Sequence, residues 1–275
     1  MLNVKEIERL ILTTYRSTIY KPFVKAVVDY KLLKDGDKVL VCVSGGKDSL
    51  LLAKLLQEIV RHDQFKVNLV FFAMDPGFKE SDRKLLEENA RKLMIPLIIG
   101  DSNFLSVALK LDPERPCYMC ARMRRGFLYE NAEKYGCNKI ALAHTFDDVI
   151  ETTLLNVIRV GEFKTMMPKL WSTNFKGLEL IRPLYLVKEK DILNFMKKCE
   201  IVPIVKGCKF VEEKMYSDRQ EAKKIIEKLK TFNKDIEKTL FSLGRNINLN
   251  CVLEYKKGNT KHSFLDTYDK SKKNK

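Results

Sequence analysis

Apolar positions at the start of the chain fall at helical spacing. Ile7, Leu10, Ile11 and Tyr15 recur every three to four residues, which predicts a helical lead-in over residues 1–36 that closes in the turn Lys34-Asp35-Gly36-Asp37. From Lys38 the pattern changes to short continuous apolar runs, each followed by a longer amphipathic stretch. Lys38-Val39-Leu40-Val41-Cys42-Val43 reads as a strand, and the segment with Leu50, Leu51, Leu52 and Leu55 as a helix. The unit recurs with apolar runs at 67–74, 96–99 and 139–144 and with helices from about Asp82, near Cys120 and from about Asp148. A further strand over 178–181 precedes Arg182-Pro183.

Such alternation predicts an α/β fold, a parallel twisted sheet with helices on both faces, spanning residues 37–216. Residues 217–268 read as a helical C-terminal region, and 269–275 as a charged tail with nothing to bury. Sheets of this kind bind ligands at the carboxyl ends of their strands, so the residues just after each apolar run are the first candidates for chemistry.

A chain of 275 residues can bury a core without metal or disulfide staples. No stretch approaches the roughly 20 apolar residues of a membrane span, and the start of the sequence lacks the basic-then-apolar design of a signal peptide, so a cytoplasmic location and no membrane partner are expected. Lys and Arg total 51 against 36 Asp and Glu, and the net charge of +15 favours a polyanionic partner such as nucleic acid. A generally lysine-rich proteome is the plainer explanation of the same number.

Ser44-Gly45-Gly46-Lys47-Asp48-Ser49 lies between the first strand, ending at Val43, and its helix, where unpaired backbone N–H groups face an anion and glycines allow close approach. The spacings of the Walker A and dinucleotide motifs are missing, which disfavours those two nucleotide classes. Taken alone, the segment could be a tight turn in which Asp48 or Ser49 caps a helix. Ser-Gly-Gly-x-Asp-Ser after a first strand resembles the PP-loop of the N-type ATP pyrophosphatases, which cleave ATP to AMP and pyrophosphate. The resemblance implies that residues Val43 to Ser49 grip the pyrophosphate portion and that an acidic residue, Asp48, helps hold Mg2+. It also implies that Ala73-Met74 contacts adenosine. Ala143-His144-Thr145-Phe146-Asp147-Asp148 resembles the family's Gly-His-x-x-Asp-Asp segment, with Ala143 in place of the usual glycine, and Ile181-Arg182-Pro183-Leu184 resembles its Arg-Pro-Leu. On their own, His144 reads as a buried, satisfied histidine and the two aspartates as helix caps.

Seven cysteines in a reducing compartment pack, bind metal or react rather than cross-link. Cys117 and Cys120 begin a predicted helix at i and i+3, where the helix N-terminus stabilises thiolates, and a lone Cys-x-x-Cys is compatible with zinc, redox chemistry, an iron-sulfur cluster or coincidence. Cys208 follows a strand-like segment and could rejoin the pair, giving three thiolates. Pro116-Cys117-x-x-Cys120-x-Arg122-x-Arg124-Arg125-Gly126 is similar to the signature of the tRNA-cytidine 2-sulfurtransferases and related tRNA-thiolating enzymes, as is the 164–170 stretch ending Met167-Pro168-Lys169-Leu170. This likeness covers roughly residues 1–230. It implies a 4Fe-4S cluster on Cys117, Cys120 and Cys208 beside the PP-loop, a tRNA substrate, and a homodimer. Relatives that thiolate other positions carry terminal zinc-binding cysteine pairs, and none stands near Met1, which favours the cytidine branch. Cys42, Cys137, Cys199 and Cys251 read as packing residues.

The implied reaction transfers AMP from ATP onto a pyrimidine carbonyl oxygen, turning a poor leaving group into a good one before sulfur attacks. Arg124 would stabilise charge at the α-phosphate, Asp148 would position or deprotonate the base or hold metal, and sulfur would come from a cysteine desulfurase or from free sulfide. Arg115, Arg122, Arg124 and Arg125, with the Lys-rich C-terminal region, are the candidate phosphate contacts for tRNA, unless they form a solvated helix face. Two other readings remain open from sequence: a PP-loop ligase without a cluster, in which the three cysteines are dispensable, and a non-enzymatic RNA-binding module that consumes no ATP.

Overall fold

The computed structural model describes residues 2–102, 116–204 and 214–268. The lead-in is two helices, α1 (Val4–Leu12) and α2 (Lys21–Asp29), joined through a π-helical turn at Arg16–Tyr20. Asn3 and Glu6 close a reciprocal capping box at the start of α1. Ile7, Ile11 and Phe23 are fully buried, each worth about 1.5–3 kcal/mol of apolar transfer, so the lead-in is part of the main core.

Six strands form one sheet: β1 (Lys38–Cys42), β2 (Asn68–Asp75), β3 (Leu97–Asp101), β4 (Lys139–Ala141), β5 (Lys169–Trp171) and β6 (Glu179–Ile181). Their order is β3-β2-β1-β4-β6-β5. All neighbours are parallel except β5, which runs antiparallel along the edge of β6, so the expected parallel sheet is mixed at one margin. β5 was not anticipated as a strand, because three half-exposed residues leave no apolar run to read.

Period-two alternation sends Val39, Val41, Phe71 and Ala73 to one face, against α1, α2, α3 (Lys47–Arg61), α4 (Glu80–Lys92) and, after β6, a helix at Glu189–Lys198. Leu40, Phe72 and Ile140 face the other way and pack on α5 (Pro116–Lys134). Gly136, at φ +64°, ends α5 and turns the chain into β4. Labelling the remaining helices in order, α6 is Phe146–Leu155, α7 is Glu189–Lys198, α8 is Lys214–Phe232 and α9 is Ile236–Leu243. Phe146, Ile150 and Leu154 of α6 pack on Ala222 and Ile226 of α8 and Leu240 of α9, which fixes α8 over the carboxyl end of the sheet.

The C-terminal region differs from the helical expectation. After α9 come a 3-10 turn at Leu249–Cys251 and a two-stranded hairpin, β7 (Glu254–Lys257) and β8 (Thr260–Ser263), then the short α10 (Leu265–Tyr268). Gly258, at φ +61°, supplies the left-handed residue that a two-residue hairpin loop needs. Cys251 is exposed and does not pack, whereas Cys137 and Cys199 are buried and Cys42 packs beside Cys137. Burial pushes the Cys42 thiol up to about 12 and those of Cys137 and Cys199 to about 11, so all three are inert at neutral pH.

Candidate active site at the carboxyl edge of the sheet

Strand order reverses between β1 and β4, and the 44–49 turn emerges from β1 at that switch point. Val43 still donates its N–H to Phe72, extending the ladder into the turn. Gly45 then takes φ +81°, and Gly46 is the N-cap of α3 in extended conformation with no side chain to cap the helix. Ser49 Oγ holds the turn closed: it accepts from Ser44 N–H at 3.1 Å and donates to the Gly46 carbonyl at 2.9 Å. The first N–H groups of α3 have no intrahelical partner, and the helix dipole adds positive potential there, so the turn is built to receive an anion.

Charged side chains crowd the same spot. Lys47 Nζ lies 2.9 Å from Asp48 and 2.8 Å from Glu189 of α7, and Glu189 is 2.6 Å from Lys223 of α8. Burial alone would favour neutral Lys47, but Asp48 and Glu189 outweigh it and hold its pKa above the usual lysine range. Burial likewise acts upward on Glu189, and the hydrogen bonds from Lys223 and Lys47 overcome it, leaving its pKa lowered. Asp48 is the exception: its Oδ1 is buried with no hydrogen-bond partner, so burial dominates, Lys47 only partly offsets it, and Asp148 and Glu189 push the carboxyl further up. A buried carboxylate oxygen with an open valence fits a divalent cation that completes its shell with phosphate oxygens and water, as Mg2+ does. Among the described residues no group of three or more His, Cys, Asp and Glu side chains is placed to hold a metal ion by itself.

Ala73 is fully buried and Met74 half-buried at the end of β2, so only backbone and the Met74 side chain can meet a ligand there. Ala143 and His144 follow β4. Arg182 donates its Nε–H to His144 Nδ1 at 3.3 Å and also bonds the Met167 carbonyl. Burial pushes His144 down to about 4, with Arg182 and Arg219 adding to the shift and Asp148 opposing it, so the ring is neutral at pH 7. Asp148 is fully engaged: Oδ2 accepts from the Thr145 N–H at 2.8 Å in a capping box, and Oδ1 pairs with Arg219 of α8 at 3.0 Å. Asp147 accepts from the Glu189 N–H at 2.6 Å, at the start of α7. The capping interpretation of both aspartates is therefore realised, and Asp148 is anchored rather than free.

Arg124 is half-buried on α5, one turn beyond Cys120 along the helix. Cys117 and Cys120 fall in the first turn of α5, with their side chains outside the described set, and Cys208 lies outside the described residues. Because α5 runs back to start the parallel strand β4, its first turn stands at the carboxyl edge of the sheet, the edge that carries the 44–49 turn. Ile204, at the end of the preceding described segment, donates its N–H to the Gly45 carbonyl at 2.9 Å. Residues 201–204 carry no strand, so the strand-like expectation there does not hold over those four residues. The backbone thus places the start of the Cys-x-x-Cys helix at the edge of the sheet that carries the turn, and Ile204 ties the chain leading toward Cys208 to the turn itself; soft thiolates at a helix N-terminus suit an iron-sulfur cluster.

Sequence reasoning missed Glu189, Arg219, Lys223 and Glu151. Burial raises Glu151 to about 7, partly offset by Lys223, which lies 3.8 Å away. None of the four belongs to a motif; only their convergence from α6, α7 and α8 marks them.

A glycine turn at the switch point of a parallel sheet, with a lysine and an unsatisfied aspartate in the first turn of the next helix, defines a PP-loop nucleotide site. Residues 14–211 match the PP-loop domain model, and the chain belongs to that family. Within it, the chain belongs with the tRNA-cytidine(32) 2-sulfurtransferases: it is 34% identical over 235 residues to the one from Citrifermentans bemidjiense, covering 84% of this chain and 90% of that relative. It is 41% identical over 186 residues to the one from Acinetobacter baylyi, 65% of this chain, and spans 60% of that relative's length. The U34-tRNA thiolase NcsA from Methanococcus maripaludis, solved with its [4Fe-4S] cluster, shares the fold with a TM-score of 0.62 and 23% identity, over 85% of this chain and 80% of that one.

Proposed function

We propose that the chain is an ATP-dependent tRNA thiolation enzyme of the cytoplasm that forms 2-thiocytidine. The base's carbonyl oxygen attacks the α-phosphorus of ATP, the bond to the bridging oxygen breaks, and pyrophosphate leaves. Sulfide, free in solution or released by a thiol reductant from a desulfurase-borne persulfide, then adds to the carbon that bears that oxygen, and AMP departs with the former carbonyl oxygen. The N–H groups of the 44–49 turn and Lys47 hold the phosphates, while Ala73, Met74, Ala143 and neutral His144 border the adenosine. Asp48 would hold Mg2+, which would neutralise charge on the phosphates. Arg124 stabilises the α-phosphate, and Asp148, fixed by Thr145 and Arg219, positions the base. Cys117, Cys120 and Cys208 would hold a 4Fe-4S cluster, which would supply an iron for binding sulfur.

The observation that carries this reading is the Ile204 N–H to Gly45 carbonyl bond, which ties the chain leading to Cys208 to the nucleotide turn itself. The names of the relatives support the tRNA substrate and the cytidine product. Homodimerisation is assigned to the exposed apolar side chains Val160, Phe163, Met167 and Trp171 near the β5 edge, and light scattering on a size-exclusion column tests it.

The decisive experiment is anaerobic purification with iron and sulfide analysis, followed by mass spectrometry of nucleosides from tRNA incubated with ATP and sulfide. About four irons per chain, lost in Cys208→Ala together with thiocytidine formation, is the expected result. An iron-free protein that still converts ATP to AMP and pyrophosphate overturns it in favour of a cluster-independent ligase.

A further inference from the structure

The β7–β8 hairpin is exposed along all of β7 and has no fully buried side chain in β8. Two strands alone make no core, so packing does not dictate which residues it carries. Its cross-strand pairs are nevertheless specific. Lys256 stands directly opposite Lys261, an arrangement in which like charges repel and weaken the pairing. Glu254 relieves only one of them, lying 2.6 Å from Lys261. On the opposite face Tyr255 pairs with His262, and their rings stack with centroids 4.8 Å apart and planes 17° apart. Lys257 follows Tyr255 by two residues and shares its face.

A lysine pair that costs stability in the isolated protein gains when a polyanion lies across it, and a half-exposed aromatic stack beside a lysine offers an unpaired base a platform. With a net charge of +15 the chain as a whole attracts the same ligand. We infer that the β7–β8 hairpin is an RNA-docking element, in which Lys256, Lys257 and Lys261 meet backbone phosphates and the Tyr255–His262 stack receives a base from a single-stranded loop. This rests on the tRNA reading above and adds the surface that recognises it, remote in sequence from the cysteines and the nucleotide turn.

The test uses the full chain, a fluorescent unmodified tRNA transcript, and an RNA duplex of equal length. Lys256→Gln/Lys261→Gln removes the repulsion together with the exposed Lys261–Glu254 pair, which contributes little, and is expected to melt within about 2 °C of the parent. It should bind the transcript about tenfold more weakly, with the slope of log affinity against log salt reduced by about 1.4 for two lost contacts to a single strand. Tyr255→Thr, which keeps a strand-forming residue, should weaken the transcript several-fold and leave the duplex unchanged. Variants that bind the transcript within twofold of a parent that thiolates tRNA overturn the hairpin's role while the proposed activity stands. A parent that binds through the hairpin yet thiolates nothing leaves the hairpin assignment intact and defeats the activity.

Discussion

Gly45 is the position where the nucleotide turn tolerates least. Its φ of +81° costs an L-residue about 1–2 kcal/mol. A Cβ there would stand 2.5 Å from Ile204 Cδ1, 3.1 Å from its Cγ1 and 3.4 Å from Leu86 Cδ1. Cδ1 ends a side chain and can rotate, but Leu86 limits the space, and an off-rotamer Ile204 adds about 1 kcal/mol. Gly45→Ala is therefore expected to cost about 2–3 kcal/mol, which for a chain of this size lowers Tm by roughly 4–12 °C. The damage should reach function as well, because the Gly45 carbonyl is the acceptor for the Ile204 N–H and the next residue caps α3.

A double-mutant cycle separates the two contributions. Ile204→Ala removes both contacting atoms, so in the Gly45→Ala background it should recover the clash, about 1 kcal/mol, and leave the backbone strain. Urea denaturation gives the four stabilities, and release of pyrophosphate from ATP gives the activities. A Gly45→Ala protein that melts within 1 °C of the parent and turns over ATP at the parent's rate refutes the assignment of strain to the turn. Strict additivity of the two substitutions refutes the contact.

Three further outcomes follow from the charges around the turn. Asp48→Asn should lower ATP turnover by about a hundredfold or more while leaving apo stability equal or higher, since it neutralises a buried oxygen without a hydrogen bond and Lys47 keeps Glu189; calorimetric melting and a pyrophosphate assay check both. Glu151 holds its proton more tightly folded than unfolded, about 7 against 4.5, so the stability it confers is full below pH 4.5 and lost as pH rises through 7; Glu151→Gln should match the parent at pH 4 and exceed it by about 2–3 kcal/mol at pH 8 in urea titrations. Arg182→Ala removes the hydrogen bond to the half-buried His144 Nδ1, while the Met167 carbonyl it also holds belongs to an exposed residue and regains water, so a loss of about 1 kcal/mol by denaturant titration is expected.

The buried strands were legible because a parallel strand covered on both faces is written as a continuous apolar run, as in Val39-Leu40-Val41 and 69–74. Edge elements were not. Lys169-Leu170-Trp171 is short and exposed on one side, and Glu254-Tyr255-Lys256-Lys257 has no apolar face, so neither presents an apolar run to read. The nucleotide turn was legible because its geometry demands glycine and its position after β1 is local. Asp147 and Asp148 show the opposite case: a motif pointed to chemistry, and the structure gives both aspartates capping bonds that any helix start would use. Glu189, Arg219 and Lys223 lie 142, 172 and 176 residues from Lys47, and no pattern within a window reports contacts over such distances.

Charge balance at the turn sets the terms on which ATP can bind. Lys47 is paired with Asp48 and Glu189, and Asp148 with Arg219. A triphosphate entering this site must draw Lys47 away from two carboxylates and tolerate Asp48 nearby, where like charges about 5 Å apart cost roughly 3 kcal/mol at an effective dielectric near 20. On the proposed assignment Mg2+ would remove that opposition, because the oxygen of Asp48 that lacks a hydrogen bond would become a ligand instead of a repelling charge. The nucleotide site should therefore select Mg-ATP over free ATP by at least tenfold in calorimetric titration with and without EDTA. In Asp48→Asn the repulsion is gone and so is the ligand, so the two affinities should converge. Equal binding of ATP with and without Mg2+ by the parent protein would mean that Asp48 faces neither phosphate nor metal, and the assignment of the metal to this aspartate would fall.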